Sequence, residues 1–99
     1  MQLEICRIEI DEIDKKILAL LNQRAETVKR IGTLKAQAGL PIVDREREEE
    51  ILGRVSGDQD GCLPADARVR IFRRIIRESR QVQAEALPEI LTKGAEIGK

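Results

Sequence analysis

The chain has no histidine, no tryptophan and no tyrosine, and only one phenylalanine. With so few rings the core must be aliphatic, and leucine, isoleucine and alanine favour packed helices. Net charge is also missing, since 18 basic residues balance 18 acidic ones. No overall field therefore draws the chain to nucleic acid or to an anionic membrane. No apolar run is long enough to span a bilayer, and no secretory hydrophobic region is present. The two cysteines, Cys6 and Cys62, match no metal-ligand spacing. They read as reduced thiols of a cytoplasmic protein. No residue set points to a metal or a cofactor.

What remains is a chain of 99 residues, 41% apolar and 36% charged, which is not disordered by composition. That length suits one helical domain, with a core over residues 3–87 and a frayed tail over 88–99. Residues 3–38 contain no proline and one interior glycine, Gly32, with apolar residues at helical spacing throughout. Such a helix is on the order of 50 Å long. A compact globule of this size has a radius of gyration of only about 13 Å. One chain cannot wrap both ends of that helix, so the pattern predicts an intertwined homodimer. Gly32 is either a defect costing about 1 kcal/mol relative to alanine or a place where another helix or a ligand comes close, and the second reading is preferred.

Ala38-Gly39-Leu40-Pro41 is a helix stop followed by a turn. Asp44 then suits the N-cap of a second helix running to residue 55, with Asp44, Glu48, Ile51 and Val55 on one face. The polar stretch 56–61 is a loop. Pro64 suits the first turn of a third helix that ends near residue 87, before Pro88.

The informative feature is where polar residues fall. In alternating steps of four and three the first helix reads Arg7, Ile10, Asp14, Ile17, Leu21, Arg24, Val28, Ile31, Lys35. The aliphatic members form a coiled-coil-like seam. Arg7, Asp14, Arg24 and Lys35 interrupt it. The third helix behaves alike: Val69, Phe72 and Ile76 lead to Ser79 and Gln83. A buried cation is costly unless it is paired or meets an anionic ligand. Each residue has a plain structural explanation. Arg24 could pair with Glu48, Lys35 could complement a helix C-terminus, and Ser79 could bond a carbonyl one turn back. Gln83 could set helix register. Together they suggest a pocket for a small, multiply charged anion.

Several blocks carry a family resemblance when taken in order. They are Arg7 with Ile10-Asp11-Glu12-Ile13-Asp14, Leu20-Leu21-Asn22-Gln23-Arg24, Ile31-Gly32-Thr33-Leu34-Lys35, Pro41 through Glu48, and Ile75-Ile76-Arg77-Glu78-Ser79 with Gln83. In order and spacing they resemble the all-α (type II) chorismate mutase family. The resemblance implies three helices per chain in an intertwined dimer, with each site completed by Arg7 from the partner. It implies the rearrangement of chorismate to prephenate, which feeds phenylalanine and tyrosine synthesis. By the same resemblance, Arg24 and the partner's Arg7 clamp the substrate carboxylates. Lys35 contacts a carboxylate and the ether oxygen, and Gln83 donates a second bond to that oxygen. Glu48 and the backbone at Asp44 hold the ring hydroxyl, while Arg47 and Ser79 complete the polar wall.

The residues suit that chemistry independently. A unimolecular pericyclic step requires no nucleophile, metal or redox centre. It gains from confinement and from charge aimed at the breaking C–O bond. Two other readings use the same pattern. A lyase of this fold that removes pyruvate from isochorismate would share the Arg-Lys pocket. A non-catalytic helical dimerisation module would use the seam polars for register alone.

Overall fold

A computed structural model describes residues 1–57 and 61–97, with side chains through residue 86. Its three helices are α1 (Gln2–Ala38), α2 (Arg45–Gly57) and α3 (Ala65–Ile97). No strand occurs among the described residues. No helix there is long and apolar enough to cross a membrane.

Local chemistry sets the boundaries. Gly39 ends α1 with φ 70°, a left-handed conformation that glycine adopts without a Cβ penalty. Its N–H reaches Ala36 O at 3.2 Å and that of Leu40 reaches Lys35 O at 2.8 Å, so the last carbonyls are satisfied. Asp44 caps α2 as its position predicts: Oδ1 accepts from the Arg47 N–H at 3.1 Å. Arg68 of α3 holds the far end of α2, donating to Val55 O at 2.8 Å and Ser56 O at 3.2 Å.

Two boundaries differ from the sequence expectation. α2 runs to Gly57, and the backbone of α3 stays helical past Pro88 to Ile97. Proline lacks one N–H and crowds one carbonyl. Around it, Ala84, Glu85, Ala86, Leu87, Glu89, Ile90 and Leu91 are mostly strong helix formers that sustain the helix. Of the expected frayed tail over 88–99, residues 98–99 lie outside the described residues.

α3 packs against both α1 and α2, which do not pack on each other. The result is a thin plate of 64 × 29 × 15 Å with a radius of gyration of 17.7 Å. A helix with its side chains is about 10–12 Å across, so the plate is little more than one helix deep. It encloses almost nothing. Val28, Ile76, Ala86 and the polar Gln83 are buried, and no large side chain among the described residues is fully so. Burying one such aliphatic side chain contributes about 1.5–3 kcal/mol. Ordering each backbone residue costs about 1–2 kcal/mol. So small a core cannot offset the ordering of so many residues. Meanwhile Ile10, Ile13, Ile17, Leu18, Leu20 and Leu21 line the N-terminal half of α1 in solvent, between 38% and 64% exposed.

That imbalance generates a prediction. The protein should sediment at equilibrium as a dimer, and dilution should lower helicity and association together, because the isolated plate has too little core to persist. A folded, compact monomer at low concentration would contradict it.

Candidate active site

The three helices and the α1–α2 turn converge on one cleft of about 310 Å³, a size that suits a small ligand. α1 contributes Arg24, Val28, Ile31 and Lys35, one face of the helix over three turns. The turn and α2 contribute Ile42, Asp44, Arg47, Glu48 and Ile51, and α3 contributes Ile76, Ser79, Arg80 and Gln83. The floor is aliphatic and the polar groups stand on it.

Arg24 is half-buried and donates through Nη1 to the Ser79 hydroxyl. That hydroxyl donates its own hydrogen bond to Ile75 O at 2.8 Å, which fixes its lone pairs toward the guanidinium. No carboxylate among the described residues pairs with Arg24. Burial, and then the like charge of Arg47, pull the Arg24 guanidinium below its ordinary pKa. The cleft therefore disfavours this cation until an anion arrives.

Lys35 is also half-buried and its partners are also neutral. Its ammonium donates to Ile42 O at 2.7 Å and to Gln83 Oε1 at 3.3 Å. An ammonium has only protons to offer. It therefore fixes which end of the amide faces it, and the Gln83 NH₂ is the end left to donate elsewhere. Gln83 is itself buried, at 7% exposure. It lies over Gly32, where a Cβ would stand 3.2 Å from Gln83 Cγ and 3.7 Å from its Cα. The glycine thus lets α3 bring Gln83 close to α1.

Glu48 turns inward from the first turns of α2. It does not pair with Arg24, the pairing its sequence position allowed. Arg80 takes it instead: Nε donates to Oε2 at 2.8 Å, and Nη2 donates to Oε1. This fork, first of all, holds the Glu48 carboxyl below the usual carboxylate range, against a smaller opposing effect of burial. Arg47 bonds Glu50 at 3.1 Å on the outer side of α2 while still lining the cleft.

Seven of the eight residues expected at the site line this cleft: Arg24, Lys35, Asp44, Arg47, Glu48, Ser79 and Gln83. Arg7 does not. It is exposed and bonds Glu4 at 3.4 Å. Seventeen residues of helix, about 25 Å, separate it from Arg24, so it cannot reach its own chain's cleft. Asp14 is exposed as well. Arg80 was not among the expected residues. It directly follows Ser79 in a run that looks solvated, Arg77-Glu78-Ser79-Arg80. Its spacing nevertheless carried a signal: Ile76, Arg80 and Gln83 follow steps of four and three, as Ile76, Ser79 and Gln83 follow three and four.

The family model for chorismate mutase type II matches residues 6–84. The chain is 34% identical over 88 residues to the chorismate mutase of Methanocaldococcus jannaschii, covering 88% of this chain and 89% of that one. It is 46% identical over 79 residues to the bifunctional chorismate mutase/prephenate dehydratase of Aquifex aeolicus. That match takes in 76% of this chain but only 22% of the relative, so the chain spans about a fifth of the bifunctional protein. Among solved structures, chorismate mutase from Helicobacter pylori in complex with prephenate superposes with a TM-score of 0.81 at 33% identity. That likeness covers 88% of this chain and 94% of the other.

Two predictions follow from the local geometry. Gly32→Ala should lower turnover at least tenfold with little change in melting temperature. The added methyl presses on Gln83 while helix propensity gains about 1 kcal/mol. Assay beside thermal melts would check this, and unchanged turnover would refute it. The second concerns Glu48, whose carboxyl is depressed in the folded state. Its stabilisation is fully present above the unfolded carboxylate pKa of about 4.3. It disappears as pH falls through the lower folded value. The melting-temperature advantage of the parent over Glu48→Gln should therefore shrink on acidification below about pH 4. An advantage that persists unchanged into stronger acid would contradict this.

Proposed function

The chain belongs to the type II chorismate mutase family, and from that premise we propose that it is an isomerase converting chorismate to prephenate. One observation carries the reading. Arg24 and Lys35, both half-buried, face one cleft with only neutral acceptors for partners. Such cations call for an anionic ligand. Chorismate, with two carboxylates, a ring hydroxyl and an enol ether, matches them.

The reaction breaks the ether C–O bond as a C–C bond forms within the same molecule. No proton or electron need leave the substrate, so the protein's work is positioning and electrostatics. Arg24 binds one carboxylate through its planar fork, and Ser79, already bonded to Arg24, holds that fork in place. Arg7 of the partner subunit closes the open side of the cleft. Lys35 exchanges Ile42 O for substrate and directs its ammonium at a carboxylate and the ether oxygen, where negative charge grows. The Gln83 NH₂ donates to the same oxygen. Glu48 accepts from the ring hydroxyl beside the backbone at Asp44, and Arg47 completes the wall. The aliphatic floor of Val28, Ile31, Ile51 and Ile76 holds the ring and excludes water.

The homodimer belongs to the same proposal, since α1 exposes an apolar stripe that a second α1 would cover. The exposed thiols of Cys6 and Cys62 suit a reducing cytoplasm. The direct test is incubation of purified protein with chorismate and separation of products. Prephenate is the expected product. No consumption of chorismate, or release of pyruvate from isochorismate alone, would overturn the reading.

Two further outcomes are expected. Lys35→Ala should lower kcat by roughly a hundred- to a thousandfold, the usual cost of removing one donor aimed at a developing oxyanion. KM should change less, because that charge matures only in the transition state. Near-normal turnover would remove Lys35 from the mechanism. Arg7→Ala and Arg24→Ala chains, each inactive alone, should regain activity when refolded together. In the mixed dimer one of the two sites then carries both arginines. A mixture that exchanges subunits yet stays inactive would show that Arg7 does not act across the interface.

A further inference from the structure

The Glu48–Arg80 pair is the one charged contact within the cleft that binding of a dianion does not explain. A free carboxylate there would repel the very ligand that Arg24 and Lys35 attract. We infer that Arg80 is a positioning residue, which neutralises Glu48 and fixes it as an acceptor for the substrate's ring hydroxyl.

The geometry supports each part. The two partners stand on different helices, α2 and α3, 32 residues apart. Glu48 is half-buried at 18% side-chain exposure, whereas Arg80 remains 41% exposed. The guanidinium engages both carboxylate oxygens, which fixes the plane of the carboxylate and not merely its location. Each oxygen keeps further lone-pair capacity, so Glu48 can still accept a hydroxyl. The cleft's charged lining comprises four cations (Arg24, Lys35, Arg47 and Arg80) and two carboxylates (Asp44 and Glu48). The net formal charge contributed by one chain is +2, before the partner's Arg7 is counted, and it favours an anionic ligand. Without Arg80 it would be +1, with Glu48 uncompensated. The charged groups bearing on Glu48 are Arg80 from α3, Arg45 of α2 and Asp44 at its cap, while Arg24 and Lys35 of α1 and Arg47 of α2 line the same cleft. Of these, Arg80 alone pairs with it. The fork therefore keeps Glu48 ionised into acid.

This inference rests on the chorismate reading, and its test separates the two. The protein is labelled with carboxyl-¹³C glutamate, and Glu48→Gln identifies the Glu48 resonance. The Glu48 titration and the pH profile of kcat/KM for chorismate are then measured for the parent, Arg80→Met and Arg80→Lys. In Arg80→Met the Glu48 titration should move to higher pH, and the acid limb of kcat/KM should move with it. At neutral pH kcat/KM should fall about tenfold, mostly through KM, as when a hydrogen bond to a charged group is lost. Arg80→Lys should keep the acid limb near the parent's but retain the raised KM, because an ammonium supplies charge without the fork. The double variant Glu48→Gln/Arg80→Met should be no worse than Glu48→Gln alone.

Additive losses in the double variant would mean that Arg80 touches substrate by itself, and would overturn the inference. So would a Glu48 titration that moves while the acid limb stays, since the pair would then only tie α2 to α3. If Arg80→Met unfolds, Arg80→Lys decides the matter: a KM and acid limb both equal to the parent's overturn it. A parent protein whose Glu48 titrates low but which consumes no chorismate defeats the functional reading, and the inference falls with it.

Discussion

The length of α1 governs everything else. Its thirty-seven residues of unbroken helix are not covered by the two helices that follow, and its N-terminal half stands in solvent. α3 lies along only part of α1, and α2 packs on α3 rather than on α1. The chain is therefore a plate with a sparse interior and an apolar edge. Its buried side chains cluster where α1 and α3 meet, around Val28, Gly32, Ile76 and Gln83. The cleft opens beside that junction. The best-packed part of the chain thus supports the polar groups, and the least-packed part is the edge that the proposed dimer would cover.

Within the cleft, desolvation and neutral bonding act together. Arg24 and Lys35 are held in place by a hydroxyl, a carbonyl and an amide oxygen. Such partners orient a cation without cancelling its charge. Carboxylate partners would have quenched the field that a dianion needs. Catalysis of a unimolecular rearrangement draws on fixed dipoles and charges that need not reorganise during the reaction. Tethering of this kind would serve the proposed rearrangement. The carboxylate most able to oppose it, Glu48, is drawn aside by Arg80, and Asp44 is engaged in capping α2.

The bond from Ser79 to Ile75 O shows how a structural role and a site role share one residue. A serine that returns its proton to the preceding turn is an ordinary way to bury a hydroxyl in a helix. Here the same bond fixes the oxygen lone pairs toward Arg24. Likewise Asp44 both starts α2 and faces the cleft. The plain explanation and the functional one do not compete at these positions.

Much of this was legible in the chain itself. The helical spacing of apolar residues, Gly39 at a stop and Asp44 before a charged run placed three helices. The breaks at Arg24, Lys35, Ser79 and Gln83 picked out the residues that line the cleft, because periodicity determines which side chains share a face. Periodicity does not determine which face meets which across helices. For that reason Glu48 could be assigned to Arg24 from sequence, whereas packing of α2 on α3 delivers it to Arg80. Arg80 was hidden because positions 79 and 80 both satisfy helical spacing after Ile76, and only the observed α2–α3 packing shows that both reach the cleft. Pro88 reads as a stop, yet the neighbouring helix formers carry α3 past it. The sequence by itself determined the elements, their faces and the excess of cations over anions toward one interior. Tertiary structure alone decided the partners, because hydrogen bonds and ion pairs depend on distances between helices, and those arise only when faces pack.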